Sequence, residues 1–195
     1  MELICFTILL LLKMIQVSRI YPECYSDTLL VELILQRGKP GHRKGISKVA
    51  KDLIKFDRDD LFVVGLADTD KFKRDNENPN LQHFEIIENR LIEEGLLILK
   101  KPGTEKHLIR IDPEFEPWIW ERASECEINP GDFGFSNLAD LYAGSKSNEV
   151  DENQNMKQFI KNVIKKNPPA IKTLREWLVR VLPPEEQEII LTMVD

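Results

Sequence analysis

The sequence is poor in the residues that mark several large classes of protein. Three of its 195 residues are cysteines, Cys5, Cys24 and Cys126, too few and too scattered for a disulfide framework or a paired-thiol zinc site. We therefore expect a reducing compartment, the cytoplasm. Nine glycines and 11 prolines exclude a collagen-like chain. The net charge of -6 lacks the basic excess typical of proteins that coat nucleic acid non-specifically.

The residues that are present have the balance of a globular protein. Hydrophobic residues make up 42% of the chain and charged residues 31%, which excludes a wholly disordered protein. The length suits one domain with an appendage, or two very small domains.

Long hydrophobic runs are scarce, and the one from Leu3 to Leu12 dominates residues 1–14. Ten residues extend about 15 Å as a helix, roughly half of a membrane's hydrocarbon core, so we predict no stable membrane span. Glu2 before the run and Lys13 after it do not fit a secretory signal. Three interpretations stay open: a buried or interfacial helix, a non-native leader before a true start at Met14, and a membrane-associating leader.

Residues 15–142 alternate between strand and helix patterns, which predicts an α/β domain with a mostly parallel sheet flanked by helices. The predicted strands are a run that ends at Pro22 and the segments 61–66, 96–99 and 108–111. The predicted helices cover about 26–37, 46–55 and 81–94, and a further one opens at Pro117.

The end of the chain differs in composition from this domain. Residues 143–155 (AGSKSNEVDENQN) contain almost no apolar side chain and are predicted to be a linker. Residues 156–195 carry helical patterns separated by two Pro-Pro pairs, which predicts a small C-terminal helical extension. Leu174, Trp177, Leu178 and Val181 form an apolar stripe that we expect to pack on the α/β domain. A homodimer contact or a groove for a protein partner is the alternative.

Acidic residues follow two of the predicted strands, where an open α/β sheet binds its ligands. Glu23 and Asp27 follow the first strand, and Asp68 and Asp70 follow the strand at 61–66. Because positions i and i+2 of an extended chain point to the same side, roughly 6 to 7 Å apart, Asp68 and Asp70 can converge on one ion. Clustered carboxylates repel, and a bound Mg²⁺ or Mn²⁺ removes that penalty. Helix capping is the alternative role for such acids.

Two segments resemble the Toprim domain, which is shared by topoisomerases, bacterial primases, recombination mediators and several nucleases. They are Glu23-Cys24-Tyr25-Ser26-Asp27 and Val63-Val64-Gly65-Leu66-Ala67-Asp68-Thr69-Asp70, set against a Glu-Gly-x-x-Asp turn and an Asp-x-Asp turn in the family. The resemblance covers about residues 15–127 and implies a Toprim or Rossmann-like fold. It also implies that Glu23 is a general acid/base or metal ligand and that Asp68 and Asp70 hold Mg²⁺, with Asp27 as a further ligand.

The sequence departs from the family pattern in two places and extends it in a third. Cys24 stands where the family has glycine, and the strand expected between the first two helices is not evident in residues 36–45. The segment Pro113–Ile119 looks like a Pro-x-x-Glu-x-Trp segment of small stand-alone Toprim-like proteins. That likeness implies that Glu116 is an additional metal ligand. An acid at the start of a helix, beside the positive end of its dipole, is the alternative.

Basic residues are concentrated between Arg37 and Arg58, a segment with eight lysines and arginines and only two aspartates. Lys44, Lys48, Lys51 and Lys55 recur at i, i+4, i+7 and i+11 and therefore fall on one helix face. We predict that these lysines, with His42 and Arg43 in the preceding loop, bind the phosphate backbone of a nucleic acid with strong salt dependence. The alternatives are an ordinary solvated helix face and an unremarkable loop histidine.

The acids, the basic face and the resemblance together predict metal-dependent phosphodiester chemistry on DNA or RNA. We expect a small Toprim-type nuclease, compatible with a role in antiviral defence, that uses Glu23, Asp68 and Asp70 for catalysis. The alternative is a non-catalytic Toprim-like module that binds nucleic acid or protein, because a fold does not guarantee its chemistry. A primer synthase is disfavoured because 195 residues leave little room for template-handling domains.

Overall fold

The structure, a computed structural model, describes residues 20–36, 40–55, 62–69, 78–146, 150, 152–184 and 186–188. The apolar leader at residues 1–14 and the predicted metal ligand Asp70 lie outside these ranges. None of the helices in the described part of the chain combines the length and apolar character that crossing a bilayer requires.

Five strands and a series of helices alternate along the described chain. The strands are β1 (Ile20–Pro22), β2 (Val63–Asp68), β3 (Glu85–Arg90), β4 (Leu96–Lys100) and β5 (Lys106–Ile111). The helices are α1 (Tyr25–Leu35), α2 (Ile46–Lys55), the single turn α3 (Leu91–Glu94), α4 (Phe115–Glu125), α5 (Leu138–Ser145), α6 (Gln154–Lys166) and α7 (Pro169–Arg180). Short 3-10 turns lie at Leu81–His83 and Pro130–Phe133.

The strands form one open sheet in the order β1-β2-β5-β4-β3. β1, β2 and β5 are neighbours and run parallel, whereas β4 is antiparallel to both β5 and β3. Four strands therefore point the same way, and the predicted α/β class with a mostly parallel sheet is confirmed. Antiparallel pairing enters because a tight turn joins β4 to β5, which reverses the chain.

The predicted helix over residues 81–94 is wrong. The structure has a 3-10 turn, the edge strand β3 and the single turn α3 in its place. The apolar spacing that suggested a helix comes from Ile86, Ile87 and Ile92, which are 59%, 48% and 96% exposed and so do not form a buried helical face. β-branched side chains on a half-covered edge favour the extended chain instead.

Other predicted boundaries shift or gain detail. α2 covers the predicted residues 46–55, but α1 is capped by Cys24 rather than by Ser26 or Asp27. α4 begins at Phe115, two residues before the predicted start at Pro117. Residues 143–145 of the predicted linker are the last residues of α5, and residues 154–155 are the first of α6.

Two apolar layers cover the two faces of the sheet. One face packs against α1, α4, α6 and α7, and the stripe formed by Leu174, Trp177, Leu178 and Val181 is buried in this layer. The expectation that the C-terminal helices pack on the α/β domain is confirmed. The other face packs against α2, which lies so close to β2 that a Cβ on Gly65 would come within 2.4 Å of Val49 Cγ1.

A candidate acidic site at the carboxyl edge of the sheet

Acidic residues lie at the carboxyl ends of three neighbouring parallel strands. Glu23 follows β1, Asp68 ends β2, and Glu114 and Glu116 follow β5. Parallel pairing brings these ends to one edge of the sheet, with Pro22 opposite Leu66 and Asp68 opposite Ile111. The edge where open α/β sheets bind ligands is therefore acidic in this protein.

Glu23 and Asp68 are in direct contact. Glu23 Oε2 accepts a hydrogen bond of 2.9 Å from the backbone N–H of Asp68. The backbone N–H of Glu23 in turn donates to the carbonyl oxygen of Leu66 at 2.8 Å, which continues the β1–β2 ladder by one residue. The ends of the two strands are thus held together, and the Glu23 carboxylate has a defined position beside Asp68.

Asp27 lies beneath this contact at the start of α1. Its Oδ2 accepts a hydrogen bond from the backbone N–H of Cys24 (3.3 Å), and its own N–H donates to Cys24 Sγ (3.4 Å). The Asp27 side chain is fully buried, and its Oδ1 has no hydrogen-bond partner among the described residues. The helix-capping role considered for this acid is present, but it uses only one of the two carboxylate oxygens.

Cys24 has a backbone conformation that does not require glycine. Its backbone is extended, with φ of -129°, which is open to any residue, and its side chain caps α1. Burial, followed by the nearby carboxylates of Asp27 and Asp68, raises the pKa of the Cys24 thiol far above its ordinary value. Cys24 is therefore a structural cap and not a nucleophile.

The acids at this edge destabilise one another's charges. Burial, then the carboxylates of Asp27, Glu23 and Glu116, raises the pKa of Asp68 well above its usual range, and the backbone amide of Phe115 offsets part of that rise. Burial and then Glu23 likewise raise the pKa of Asp27. Burial also raises the pKa of Glu116. The edge therefore holds more negative charge than its surroundings neutralise.

A cavity of about 600 Å³ opens over the acids. Its wall combines acidic, basic, aromatic and hydroxyl side chains from the strand ends, from α1, from the loop before α2 and from α5. The lining residues are Glu23, Cys24, Tyr25, Ser26, His42, Lys44, Asp68, Thr69, Glu114, Glu116, Tyr142, Ser145 and Lys146. Asp27 lies behind this wall and does not line the cavity.

α5 supplies a side of the site that the sequence analysis missed. The Tyr142 hydroxyl donates to Glu114 Oε2, and the Ser145 hydroxyl donates to Glu116 Oε1. Ser26 of α1 donates to the backbone carbonyl of Ser145 at 3.1 Å, which joins α5 to the start of α1. The available signal was Asn137, which caps α5 by accepting a hydrogen bond from the Asp140 N–H at 3.0 Å.

The basic residues predicted to bind nucleic acid divide into two groups. His42 and Lys44 line the cavity. Arg43 and Lys48 instead form ion pairs with Asp52, at 2.7 and 2.9 Å. Lys51 and Lys55 are exposed on α2 and do not line the cavity. Part of the predicted basic face is therefore engaged in a surface ion-pair cluster with Asp52.

The donor chemistry of the edge fits a hard divalent cation such as Mg²⁺ or Mn²⁺, which prefers carboxylate oxygen. Asp27 Oδ1 and Asp68 Oδ1 are buried without a hydrogen-bond partner in the described ranges, so both have unused capacity. Among the described residues, no three His, Cys, Asp or Glu side chains are arranged to hold a metal ion. Asp70, which is predicted to complete the set, lies outside those residues.

No family model matches the chain, and comparisons with curated proteins and with solved structures also give no match. The resemblance to Toprim domains therefore stays a prediction from the residues.

Proposed function

We propose that this protein is a small Mg²⁺-dependent nuclease of Toprim-like type, with Mn²⁺ as an alternative cation. The contact between Glu23 Oε2 and the Asp68 N–H, 2.9 Å long and at the floor of an acidic cavity, is the observation that supports it most directly. It unites two acids that are 45 positions apart in the sequence, at the edge where α/β sheets bind ligands.

The energetics of the cluster favour a ligand over a purely structural role. An unsatisfied buried polar group costs about 1–3 kcal/mol, and more when it is charged. This edge contains two such carboxylate oxygens, on Asp27 and Asp68, with Glu23 and Glu116 close enough to raise the pKa of Asp68. Strongly perturbed acids that lie in or beside a cleft are typical of functional sites.

Each group at the cavity has a proposed part in the reaction. Asp68 and Asp70 hold Mg²⁺, and Glu116 and Asp27 are further candidate ligands. When bound, the ion neutralises charge on the phosphate and lowers the pKa of the attacking water. Glu23, positioned by the Asp68 amide, accepts a proton from the water that attacks phosphorus. It then gives that proton to the leaving oxygen of the broken P–O bond. His42 and Lys44 bind phosphate from another part of the wall.

A cleavage screen tests this proposal. Single- and double-stranded DNA and RNA are incubated with the protein and Mg²⁺ or Mn²⁺, and products are resolved by length. Asp68→Asn, nearly identical in shape, should lower cleavage by at least about 10²-fold, comparable to the loss of one charge-stabilising group in other enzymes. Asp132→Asn makes the same chemical change outside the cavity wall and should leave cleavage unchanged. Equal cleavage by Asp68→Asn and the parent protein would refute the assignment.

Binding without cleavage is the second candidate function. It is favoured because no three ligating side chains come together within the described ranges. The two candidates differ in one measurement, Mg²⁺ titration followed by calorimetry and by product analysis. Salt-dependent binding of an oligonucleotide, without Mg²⁺ uptake and without products, would select this second function.

A further inference from the structure

Two aromatic rings lie together in the cavity wall. The Tyr25 and His42 rings have their centroids 4.2 Å apart and their planes inclined by 40°. Both residues line the cavity, and each is only partly buried. Neither ring belongs to the acidic set. The proposed hydrolysis gives Tyr25 no part and uses His42 only to bind phosphate, so the contact between the two rings has no role in it.

A third ring and two cations complete the same wall. Tyr142 lines the cavity from α5, and the ammonium group of Lys146 lies 5.2 Å from the centre of its ring. Lys44 lines the cavity from the loop that also carries His42. The wall therefore offers aromatic faces and positive charges beside the carboxylates, the combination with which proteins hold a base and its phosphate.

The dimensions and charges of the site disfavour a continuous double helix. A cavity of about 600 Å³ matches a small-molecule pocket and admits one nucleotide rather than a paired duplex. A duplex would need a basic track that continues from the cavity, but Lys51 and Lys55 do not line it, and Asp52 offsets one of the two positive charges of Arg43 and Lys48.

We propose that the cavity takes one unpaired nucleotide, whose base stacks on the Tyr25–His42 ring pair while Lys44 and Lys146 hold its phosphate. The inference rests on the proposed nuclease function and names its substrate class as single-stranded nucleic acid or an unpaired strand end. Base stacking on an aromatic face is tolerant of sequence, so cleavage depends on strand state more than on base identity.

Fluorescence of a base analogue tests the stacking directly. Asp68→Asn protein, in which cleavage should be at least about 10²-fold slower, is titrated without divalent metal with a single-stranded oligonucleotide carrying 2-aminopurine and with the same oligonucleotide in a duplex. The single strand should bind at least about 10-fold more tightly, and its fluorescence should fall because the analogue stacks on a ring. Equal or tighter binding of the duplex would overturn the proposal.

Variants of the ring pair identify the platform. Adding Tyr25→Leu should weaken single-strand binding by about 10- to 100-fold and abolish the fluorescence change, because the stacking face is lost. Tyr25→Phe keeps the ring and should restore both. His42→Ala, in the loop before α2, provides an independent loss of the pair should Tyr25→Leu fail to fold. Unchanged affinity and fluorescence in a folded Tyr25→Leu or His42→Ala variant would refute the assignment.

Cleavage assays on the parent protein separate this inference from the proposed function. Asp68-dependent cleavage of duplexes that Tyr25→Leu leaves unchanged would overturn the single-strand inference and leave the nuclease proposal standing. Cleavage of single strands with a raised KM and a nearly unchanged kcat in Tyr25→Leu supports both. Single-strand stacking without cleavage under Mg²⁺ or Mn²⁺ would refute the nuclease and support the binding site.

Discussion

The two ends of strand β5 differ in whether the charges beside them are paired. At its amino end, the hairpin that joins β4 to β5 sets Lys100 against Glu105, with the ammonium group 3.0 and 3.1 Å from the two carboxylate oxygens. At its carboxyl end, the acids of three strand ends crowd together, and the pKa of Asp68 rises. The same strand thus ends in a neutral pair on one side and in an excess of one sign on the other.

The contrast separates what the fold needs from what it tolerates. A partly exposed pair such as Lys100–Glu105 contributes little and is harmless. Buried carboxylates of like charge oppose folding unless a proton or a cation neutralises them. The hairpin end therefore carries little electrostatic cost, whereas the acidic edge carries a cost that the proposed cation would offset.

The largest expected effect comes from neutralising the acidic edge at Asp68. Asp68→Asn should lower Mg²⁺-dependent cleavage by at least about 10²-fold. Without metal, the same variant should melt at a higher temperature than the parent protein, because a repelling charge is removed. Differential scanning calorimetry beside the cleavage assay checks both. A variant that loses activity and also melts lower would show that Asp68 stabilises the fold, and the comparison would fail.

Asp27 is the more buried acid and isolates the electrostatic cost without lining the cavity. Asp27→Asn keeps an oxygen for the Cys24 N–H and removes the buried negative charge, so at pH 8 and without metal we expect the variant to be more stable than the parent protein by about 1–3 kcal/mol. At pH 5, where the Asp27 carboxyl is largely protonated because its pKa is raised, the difference should shrink. Urea denaturation at both pH values measures it. Lower stability of the variant at pH 8 would contradict the prediction.

The pH dependence of the parent protein's stability shows whether the charged acidic cluster stabilises or destabilises the fold. The folded-state pKa values of Asp27, Asp68 and Glu116 are raised, so their contribution is fully present below the ordinary carboxyl pKa of about 4 and is lost as pH rises through the folded values. The melting temperature without metal should therefore fall as pH rises towards 9. Added Mg²⁺ should raise it, and more so at higher pH.

A melting temperature that rises with pH in the absence of metal, or a Mg²⁺ effect that is largest at low pH, would contradict this account. NaCl at the same ionic strength separates binding of a hard divalent cation from a general salt effect.

His107, at the amino end of β5, should behave in the opposite sense. Burial, followed by the charge of Lys100, lowers the pKa of His107 to about 4. Its contribution to stability is present above about pH 6.5 and is lost as pH falls through 4. His107→Gln cannot take up a proton, so its loss of stability between pH 6.5 and 4 should be smaller than that of the parent, by about 2–3 kcal/mol. Parallel stability curves for the two proteins would refute the assignment.

The smallest expected effect is at the paired end. Glu105→Gln removes the partner of Lys100 and should change the free energy of unfolding by less than about 1 kcal/mol, and by less still at high salt. Chemical denaturation at two salt concentrations measures it. A loss as large as the change expected for Asp27→Asn would erase the distinction between the two ends of the strand.

Short local signals explain what the sequence could predict. Glu23 and Asp68 directly follow apolar strand segments, so their place at one edge could be inferred without knowing the sheet order. The ion pair between Lys48 and Asp52 was also accessible, since the two are four residues apart on a helix. The pairing of Arg43 with the same aspartate depends on the path of a loop, which the spacing does not encode.

Contacts between segments that are far apart in the sequence could not be predicted from local patterns. Ser145 lies in the last three residues of α5, which the polar composition of residues 143–155 placed in the predicted linker. Its contact with Ser26 joins residues 119 positions apart. The segment that forms β3 was predicted to be helical, because Ile86 and Ile87 are apolar and were expected to be buried. Both are exposed in the structure. Periodicity reports the chemistry of a segment's faces, and only the assembled fold decides which face is covered.

Gly65 has no side chain, which allows α2 to pack closely on the sheet. A methyl group there would lie 2.4 Å from Val49 Cγ1 and 3.0 Å from Leu108 Cδ1, so even alanine would require the packing between α2 and the sheet to shift. Lys44, which lines the cavity, lies two residues before α2. The close packing of α2 on β2 at Gly65 therefore also fixes the helix that follows the cationic side of the cavity.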